Sequence, residues 1–292
     1  MTAIRPRRSA LYMPGANARA LEKAKGLSAD VLILDLEDAV APDKKDEARG
    51  LIRAALAEGG YNGREIVVRT NGVATSDFKS DLELVAASKP DAVLVPKVES
   101  GADVTTIRSA LMEANAALPI WAMIETPLGI LNVAEIAAAA AHETHPLACF
   151  VIGTNDLVKD TRAQLSADRA EAMFWLQSTV TAARVFGIDV LDGVFNAFKD
   201  DEGLRRECAQ GRDLGMDGKT LIHPTQIEYA NTVFAPSDSD VASARQILEA
   251  FDQPENAGKG VITLDGKMVE LLHAEMAQRT VALADAIARR GD

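Results

Sequence analysis

Eight short apolar runs that alternate with helical patterns predict an α/β fold for this chain, a TIM (β/α)8 barrel with a C-terminal helical extension. Seven of the runs lead into an ionisable residue, and these residues follow one another at intervals of 28 to 36 positions. Such an interval holds one strand, one helix and the return to the next parallel strand. The chain has 292 residues, 48% of them hydrophobic, whereas a barrel of this kind needs roughly 250.

The predicted strands are continuous apolar runs, which is typical of strands covered on both faces. They are Ser9–Met13, Val31–Leu36, Ile66–Thr70, Ala92–Val98, Ile120–Glu125, Ala148–Gly153, Asp189–Asp192 and Thr220–His223. Helical patterns lie between them, at Lys44–Glu58, Val104–Ala117, Asn132–Ala141, Arg169–Phe186 and Glu202–Leu214. The alternation predicts a parallel sheet.

The pattern changes after the eighth strand. The predicted elements are helices at Pro224–Phe234 and Ser239–Ala250, a connector at Asp252–Gly260, a short run at Val261–Leu264, a turn at Asp265–Gly266 and an amphipathic helix at Val269–Ala288. Ser237 or Asp238 is the predicted N-cap of the second helix. We therefore predict a catalytic barrel domain over residues 1–236 and a C-terminal extension over 237–292, whose last helix has an apolar stripe that must pack on its own barrel or on a neighbouring subunit.

Composition narrows the class of partner and the compartment. A formal net charge of −12 argues against a nucleic-acid partner, because phosphate binding needs a cationic face. No apolar run approaches the roughly 20 residues that span a bilayer, and Pro14 and Gly15 interrupt the N-terminal run that could imitate a signal peptide. Cys149 and Cys208 are predicted to be at least half-buried. We expect a cytoplasmic protein without a membrane partner.

Two acids at neighbouring strand ends predict a metal site. Glu125 and Asp156 each follow an apolar run, where ionised carboxylates are costly to leave unpaired. Mg²⁺ is commonly held by two carboxylates, with water and substrate in the other positions, and the lack of nearby cysteine or histidine disfavours zinc. Gly129 and Gly153 favour a metal site, because a residue without a side chain allows the backbone or a ligand to approach closely. Salt bridging or helix capping is the alternative for both acids.

Arg69 would project from the third strand end beside these acids. A guanidinium can hold a carboxylate through two parallel hydrogen bonds and can stabilise an oxygen that gains negative charge. Its alternative role is to pair with Glu37 or Asp38. Strand alternation places Asp35 and Glu37 on one face and Asp38 on the other, so at least one acid faces the barrel mouth.

The N-terminal segment is locally basic within an acidic protein. Up to Lys25 it contains a single acid, Glu22, and six cations, Arg5, Arg7, Arg8, Arg19, Lys23 and Lys25. This bias indicates a site for an anionic ligand, with a solvated basic end as the alternative.

Seven motifs together resemble one family. They are Arg8-Ser-Ala-Leu-Tyr-Met-Pro-Gly15, Leu34-Asp-Leu-Glu-Asp-Ala-Val40, Val68-Arg-Thr-Asn71, Val95-Pro-Lys-Val98, Met123-Ile-Glu-Thr-Pro-Leu-Gly129, Gly153-Thr-Asn-Asp-Leu157 and His223-Pro-Thr-Gln226. In this order they resemble the citrate lyase β subunit and malyl-CoA lyase family, the CitE-like CoA-ester lyases of the HpcH/HpaI aldolase superfamily.

The resemblance implies three groups of residues where the carboxyl ends of the strands meet: metal ligands, substrate-binding residues and coenzyme A-binding residues. Metal ligands for Mg²⁺, or alternatively Mn²⁺, would be Glu125 and Asp156. Substrate would be bound by Arg69, Glu125, Gly153, Thr154, Asn155 and Asp156. Coenzyme A would lie across the mouth near Tyr12, Pro14, Arg19, Lys23 and Lys25.

The resemblance also implies a homotrimer or homohexamer, in which the C-terminal segment of one subunit reaches the active site of the next. Relatives commonly carry an aspartate acid/base residue where this chain has Glu270, in Gly266-Lys-Met-Val-Glu270. Glutamate keeps the carboxylate but moves it by one methylene, and misplacement by about 1 Å can cost 100-fold in rate.

The predicted function is that of a Mg²⁺-dependent carbon–carbon lyase. It would cleave or form a malyl-CoA or citramalyl-CoA type of thioester by retro-Claisen chemistry, giving acetyl-CoA or another acyl-CoA and a 2-oxo acid. Glu270, Glu37 or Asp38 would transfer the proton, and Arg69 would stabilise the developing charge. One alternative is a malyl-CoA thioesterase that uses the same site. Another is a citrate lyase β-type subunit that works with an acyl carrier partner.

Overall fold

The structure is a computed structural model that describes residues 4–290, and its centre is a closed barrel of eight parallel strands. The strands are β1 (Ser9–Pro14), β2 (Val31–Asp35), β3 (Glu65–Arg69), β4 (Ala92–Val95), β5 (Ile120–Ile124), β6 (Leu147–Ile152), β7 (Asp189–Asp192) and β8 (Gly218–Leu221). They pair in chain order, and the last strand returns to the first. The predicted TIM barrel is confirmed, with every strand within three residues of its predicted bounds.

Helices connect successive strands around the barrel. They are α1 (Ala18–Ala24), α2 (Lys45–Glu58), α3 (Asp77–Ser88), α4 (Gly101–Glu113), α5 (Pro127–Leu131), α6 (Val133–Ala138), α7 (Thr154–Thr161), α8 (Met173–Phe186), α9 (Asp201–Asp213) and α10 (Ile227–Val233). The sequence patterns missed α1, α3 and α7. The helix predicted at Asn132–Ala141 is the shorter α6, and the patterns also missed α5 before it, which starts where the Thr126 hydroxyl accepts a hydrogen bond from the Gly129 N–H.

The barrel interior is a packed apolar core. Strand residues that face inward include Ile33, Leu94, Trp121 and Val151, all of them buried. Such layers of bulky side chains are how an eight-stranded barrel fills its centre. The core therefore supports the polar groups that follow the carboxyl ends of the strands, at the end of the barrel called the mouth below.

The opposite end of the barrel is closed by a buried cation. Arg7 donates to Glu65 at 2.7 Å and to Asp189 at 2.8 Å, and these acids begin β3 and β7. The guanidinium carbon of Arg7 lies 4.7 Å from the centroid of the Trp121 ring. Three of the charges at this end are thus paired with one another, which separates it chemically from the mouth.

A second compact unit contains residues 4–6 and 233–290, and the barrel unit contains residues 7–232. The second unit contains α11 (Asp238–Phe251), β9 (Val261–Leu264), β10 (Lys267–Glu270) and α12 (Leu271–Arg290). Ser237 is the N-cap of α11 and forms a capping box with Asp240.

The last helix starts two residues later than the sequence pattern predicts. Lys267–Glu270 pairs with Val261–Leu264 as an antiparallel hairpin instead of continuing the helix. Asp265 and Gly266 both have positive φ, 49° and 73°, which is the backbone that a tight two-residue hairpin turn requires. Among the helices within residues 4–290, none has both the length and the apolar character needed to cross a membrane.

Closure of the barrel at β8 makes a prediction about stability. An alanine Cβ at Gly218 would overlap the carbonyl oxygen of Arg7 and lie 2.8 Å from that of Arg8. Gly218→Ala should therefore lower the free energy of unfolding by about 1–3 kcal/mol, as overpacking generally does, measured by urea denaturation. The control is Gly50→Ala, which has nothing within 4 Å of its Cβ in the interior of α2 and should raise stability by about 0.5–1 kcal/mol. A Gly218→Ala protein as stable as the parent would contradict this account.

Candidate active site

Arg69 ends β3 at the mouth and is held by acids from β2. Its Nε and Nη2 donate to the two carboxylate oxygens of Asp35, each at 2.6 Å, and its Nη1 lies 2.9 Å from Glu37 Oε2. Asp35 and Arg69 are register partners on adjacent strands, so the two-point contact follows from the sheet itself. The pairing that the sequence offered as an alternative role for Arg69 is present through Glu37. Asp38 is exposed and lies in the turn after β2, where its negative charge still raises the pKa of Glu37 and of Lys97.

The face of this guanidinium is covered by an aromatic ring. The guanidinium carbon of Arg69 lies 4.7 Å from the centroid of Tyr12, an attractive cation–π geometry. The Tyr12 hydroxyl reaches the Met123 sulfur at 4.0 Å, and burial raises the pKa of that hydroxyl. Burial acts to lower the pKa of Arg69, but the charge of Asp35 and its hydrogen bonds hold it well above its usual range. Arg69 is thus a fixed positive charge.

Lys97 joins this pair to the next acid, and it is absent from the predicted site residues. Its Nζ donates to Glu37 Oε1 at 2.6 Å, and its backbone N–H donates to Glu125 Oε1 at 2.9 Å. Burial raises the pKa of Glu37, and the charges of Arg69 and Lys97 oppose that rise without cancelling it. The signal in the sequence was the run Val95-Pro-Lys-Val98 at the end of β4. The contacts of Lys97 depend on its positive φ of 54°. The sequence gives no sign of this backbone conformation, because lysine rarely adopts it.

Glu125 directly follows β5 and is only 2% exposed. Burial raises the pKa of its carboxyl to about 7, with further contributions from the negative charges of Glu37 and Asp156. Asp156 lies in the first turn of α7, and its Oδ1 is 2.9 Å from Lys159 Nζ. The negative charge of Asp156 thus opposes ionisation of Glu125, and the role of the two acids as metal ligands stays a prediction.

Gly153 makes room for the Glu125 carboxylate. An alanine Cβ at this position would overlap Glu125 Cβ and lie 2.5 Å from its Oε2. The φ of Gly153 is −99°, so the requirement is for space and not for a left-handed backbone. This is the close approach that the sequence led us to expect of this glycine.

The donor set fits a hard divalent cation. The carboxylates of Asp35, Glu37 and Asp156 are ion-paired with Arg69, Lys97 or Lys159, whereas that of Glu125 accepts a hydrogen bond from a neutral backbone N–H. Carboxylate oxygens are the ligands that Mg²⁺ prefers. Within residues 4–290 no group of three or more histidine, cysteine or acidic side chains is arranged around a metal position. Two protein ligands, completed by water and substrate oxygens, remain the arrangement that these residues permit.

The other predicted substrate-binding residues flank Asp156 at the start of α7. Thr154 is buried, and Asn155 accepts a hydrogen bond of 2.7 Å from Asn196 Nδ2. Asp192 and His223 also end apolar runs in the sequence pattern, but they make no contact with the acids described above. Asp192 is fully buried in an ion pair with Lys219, and His223 stacks on Phe198 with ring centroids 4.9 Å apart.

The predicted coenzyme A cations do not all lie together. Arg19 and Lys23 are exposed on α1 and share one face of it, because they are four residues apart. Lys25 is instead paired with Glu22 at 2.5 Å and with Glu58 at 2.9 Å. These ion pairs hold its ammonium where α1 ends, beside the C-terminal end of α2. Contact of Lys25 with coenzyme A stays a prediction, as it does for Arg19 and Lys23.

Two further basic residues of the N-terminal segment, Arg7 and Arg8, form ion pairs away from α1. Arg8 forms a two-point ion pair with the buried Asp30, and Arg7 closes the far end of the barrel. Pro14, the last residue of β1, is half-buried. The basic composition of the segment thus reflects two different uses, structural ion pairs and an exposed face of α1.

Glu270 belongs to the second compact unit. It closes β10 and is half-buried, and its backbone N–H donates to His273 Nδ1 at 3.0 Å. The role of its carboxylate at the active site of a neighbouring subunit stays a prediction.

Comparisons with known proteins support the resemblance seen in the motifs. The family model described as HpcH/HpaI aldolase/citrate lyase matches residues 8–224. A (3S)-malyl-CoA thioesterase of Cereibacter sphaeroides is 49% identical over 97% of this chain and 96% of its own. The citrate lyase subunit beta of Escherichia coli is 36% identical over 91% of this chain and 89% of its own. The crystal structure of CitE from Mycobacterium tuberculosis in complex with magnesium, acetoacetate and coenzyme A is also similar. Its TM-score is 0.71 at 32% identity, covering 94% of this chain and 97% of that one.

The space beside Glu125 makes a prediction about metal binding. Gly153→Ala should push the Glu125 carboxylate aside and weaken binding of Mn²⁺, used as a spectroscopic substitute for Mg²⁺, by about 10-fold or more, as displaced ligands generally do. The measurement is the free Mn²⁺ signal in an electron paramagnetic resonance titration. Gly72→Ala is the control, because its Cβ would meet only Thr75 Cγ2, at 4.0 Å. Equal Mn²⁺ affinity in the two variants would argue against Glu125 as a ligand.

Proposed function

Because the chain belongs to the HpcH/HpaI aldolase/citrate lyase family, whose members include enzymes that act on CoA thioesters, we propose that it is a Mg²⁺-dependent enzyme acting on malyl-CoA. The reaction that we propose is hydrolysis of the thioester to malate and free coenzyme A. The observation that carries this choice is the similarity, along nearly the full chain, to (3S)-malyl-CoA thioesterases. The fixed cation of Arg69 beside an acidic, partly desolvated mouth supports it.

Glu125 and Asp156 would hold the metal, with Mn²⁺ as an alternative to Mg²⁺. When bound, the ion supplies Lewis acidity and a template for substrate oxygens. Asp156 must then release one contact with Lys159, whose side chain is 65% exposed and is free to turn into solvent. Glu125 keeps its bond from the Lys97 N–H throughout.

Arg69 would stabilise the oxygen that becomes negative when water adds to the thioester carbonyl. It is suited to this because its orientation is set in advance by Asp35 and Tyr12, and a preorganised charge needs no reorganisation during the reaction. Glu37 would accept the proton of the attacking water, since its raised pKa brings it closer to the working pH of a general base. The thiolate of coenzyme A leaves as the tetrahedral intermediate collapses.

Coenzyme A would extend from the mouth along the outside of β1 and α1. Tyr12 and Pro14 lie at the end of β1, and Arg19 and Lys23 give α1 an exposed cationic face suited to phosphate groups. Lys25 lies two residues beyond Lys23, and its ammonium would have to release Glu22 or Glu58 to contact a phosphate.

Glu270 would come from a neighbouring subunit of a homotrimer or homohexamer. This follows from the resemblance described above, and it gives the exposed side chains of α12, among them Leu272 and Met276, a partner surface. In hydrolysis Glu270 would share with Glu37 the task of moving the proton.

The second candidate reaction is carbon–carbon cleavage, the chemistry that the sequence predicts first. Its support is the similarity to citrate lyase subunit beta and to CitE. The substrate hydroxyl loses its proton, the bond between the hydroxyl-bearing carbon and the neighbouring methylene breaks, and the electron pair forms a thioester enolate. Protonation of that enolate by Glu270 gives acetyl-CoA, and the other product is the 2-oxo acid glyoxylate. A citrate lyase β-type subunit with an acyl carrier partner would use the same site.

The two reactions are separated by their products. With (3S)-malyl-CoA and Mg²⁺ we expect equal amounts of free thiol and malate, without glyoxylate or acetyl-CoA, and we expect EDTA to abolish the reaction. Thiol titration and chromatography of the acids measure this. Glyoxylate with acetyl-CoA would instead favour the lyase, and pyruvate from citramalyl-CoA would extend it to larger oxo acids. Folded, metal-replete protein that gives none of these products would refute the proposal.

The proposed contribution of Glu270 to the active site of a neighbouring subunit predicts that two inactive variants restore activity to each other. Arg69→Met and Glu270→Gln should each lower kcat/KM by about 100-fold or more, since each removes a charge from the reacting centre. Co-expression of the two inactive variants should restore part of the activity, because mixed oligomers contain some sites with both residues intact. Glu275→Gln, an exposed acid on α12, is the matched control. Absence of restored activity in purified mixed oligomers would place Glu270 outside the neighbouring site.

A further inference from the structure

Lys97 touches two carboxylates of the mouth with two different parts of itself. We infer that it is a positioning residue, whose backbone N–H fixes Glu125 and whose ammonium fixes Glu37. The inference rests on the proposed function, in which Glu125 is a magnesium ligand and Glu37 a base. It deepens that function because it assigns metal binding and proton transfer to separable contacts of one residue.

The backbone of Lys97 is in the left-handed region, with a φ of 54°. This conformation costs a non-glycine residue about 1–2 kcal/mol and persists only where the surroundings enforce it. Both sides of the turn are held against β5. Val95 pairs with Ala122, and the N–H of the buried Val98 donates to the Met123 carbonyl at 3.3 Å. The turn between these two anchors directs the Lys97 N–H at the carboxylate that follows β5.

Glu125 is thus confined from two sides. The Lys97 N–H holds its Oε1, while Gly153 leaves just enough room for its Oε2. A carboxylate fixed at one oxygen presents the other in a constant direction, which is what a metal ligand needs. Here the fixing group is a main-chain N–H, so it is independent of the lysine side chain.

The ammonium serves a different acid. Glu37 lies between two cations, with Lys97 Nζ at 2.6 Å from one oxygen and Arg69 Nη1 at 2.9 Å from the other. Asp35, Arg69, Glu37, Lys97 and Glu125 therefore form one continuous chain of contacts across β2 to β5. Removing the ammonium would remove one of the two cations that are paired with Glu37. It would leave the Glu125 carboxylate in place, because the backbone N–H of Lys97 holds it.

Three substitutions separate the two contacts. Lys97→Gly keeps the N–H and adopts a positive φ without strain, so its Mn²⁺ dissociation constant should stay within about 3-fold of wild type. Its kcat on malyl-CoA should fall by about 10-fold or more because an ion-paired hydrogen bond is lost. Lys97→Val resists the left-handed backbone, so it should weaken Mn²⁺ binding by about 10-fold or more as well. Lys97→Arg should recover most of kcat.

Lys89 provides a matched control, because it is an exposed lysine with a φ of 50° at the C-cap of α3. Lys89→Gly should change neither Mn²⁺ affinity nor kcat. If Lys97→Val does not fold by circular dichroism, Lys97→Ala replaces it, with the same direction of effect.

The outcomes distinguish this inference from the proposed function. Wild-type protein that binds no Mn²⁺ would overturn both. Wild-type protein that binds Mn²⁺, with unchanged affinity in Lys97→Val and Lys97→Ala, would overturn the role of the backbone N–H alone. Equal losses of metal affinity in Lys97→Gly and Lys97→Val would show that the side chain holds Glu125 in place, contrary to the inference.

Discussion

The ion pair between Arg69 and Asp35 is the interaction on which the rest of the mouth depends. Both groups are buried, and each would be costly to desolvate alone. Adjacent strands place them side by side in register, so two parallel hydrogen bonds form without any loop having to find its position. With Arg69 fixed in this way, Glu37 and Tyr12 have a constant charge to pack against.

The neutralisation achieved by this pair is incomplete, and that is chemically useful. Arg69 and Lys97 compensate only part of the negative charge at the mouth, and burial leaves Glu125 with a pKa raised to about 7. Such a carboxylate is stabilised by a further positive charge close to it. The barrel thus provides both the reason for a bound cation and the oxygen atoms to hold it, whereas the opposite end pairs Arg7 with acids of its own.

Particular residues show how far sequence reasoning reaches. The strand-end positions of Arg69, Glu125 and Asp156 could be predicted, because parallel strands of similar length repeat at a regular interval and deliver their last residues to one edge. Asp35 was placed on the correct face but was not recognised as the partner of Arg69, since that contact depends on strand register. Lys97 was quoted in a motif and given no role, because its φ is set by anchors on β5. The pairing of Lys25 with Glu22 and Glu58 was not predicted, because composition does not reveal which acids a cation meets in the fold.

The sequence by itself determined the barrel, its eight strands, the family and which acids and arginine follow the carboxyl ends of the strands. These follow from local hydrophobic pattern and from residue type, which a linear chain displays directly. Only the tertiary structure decided which charges pair with one another, that Glu37 is buried while Asp38 is exposed, and that one lysine links two carboxylates through its backbone and its side chain. The physical reason is that burial and register arise between segments distant in the chain, and pKa values and ion pairs depend on both.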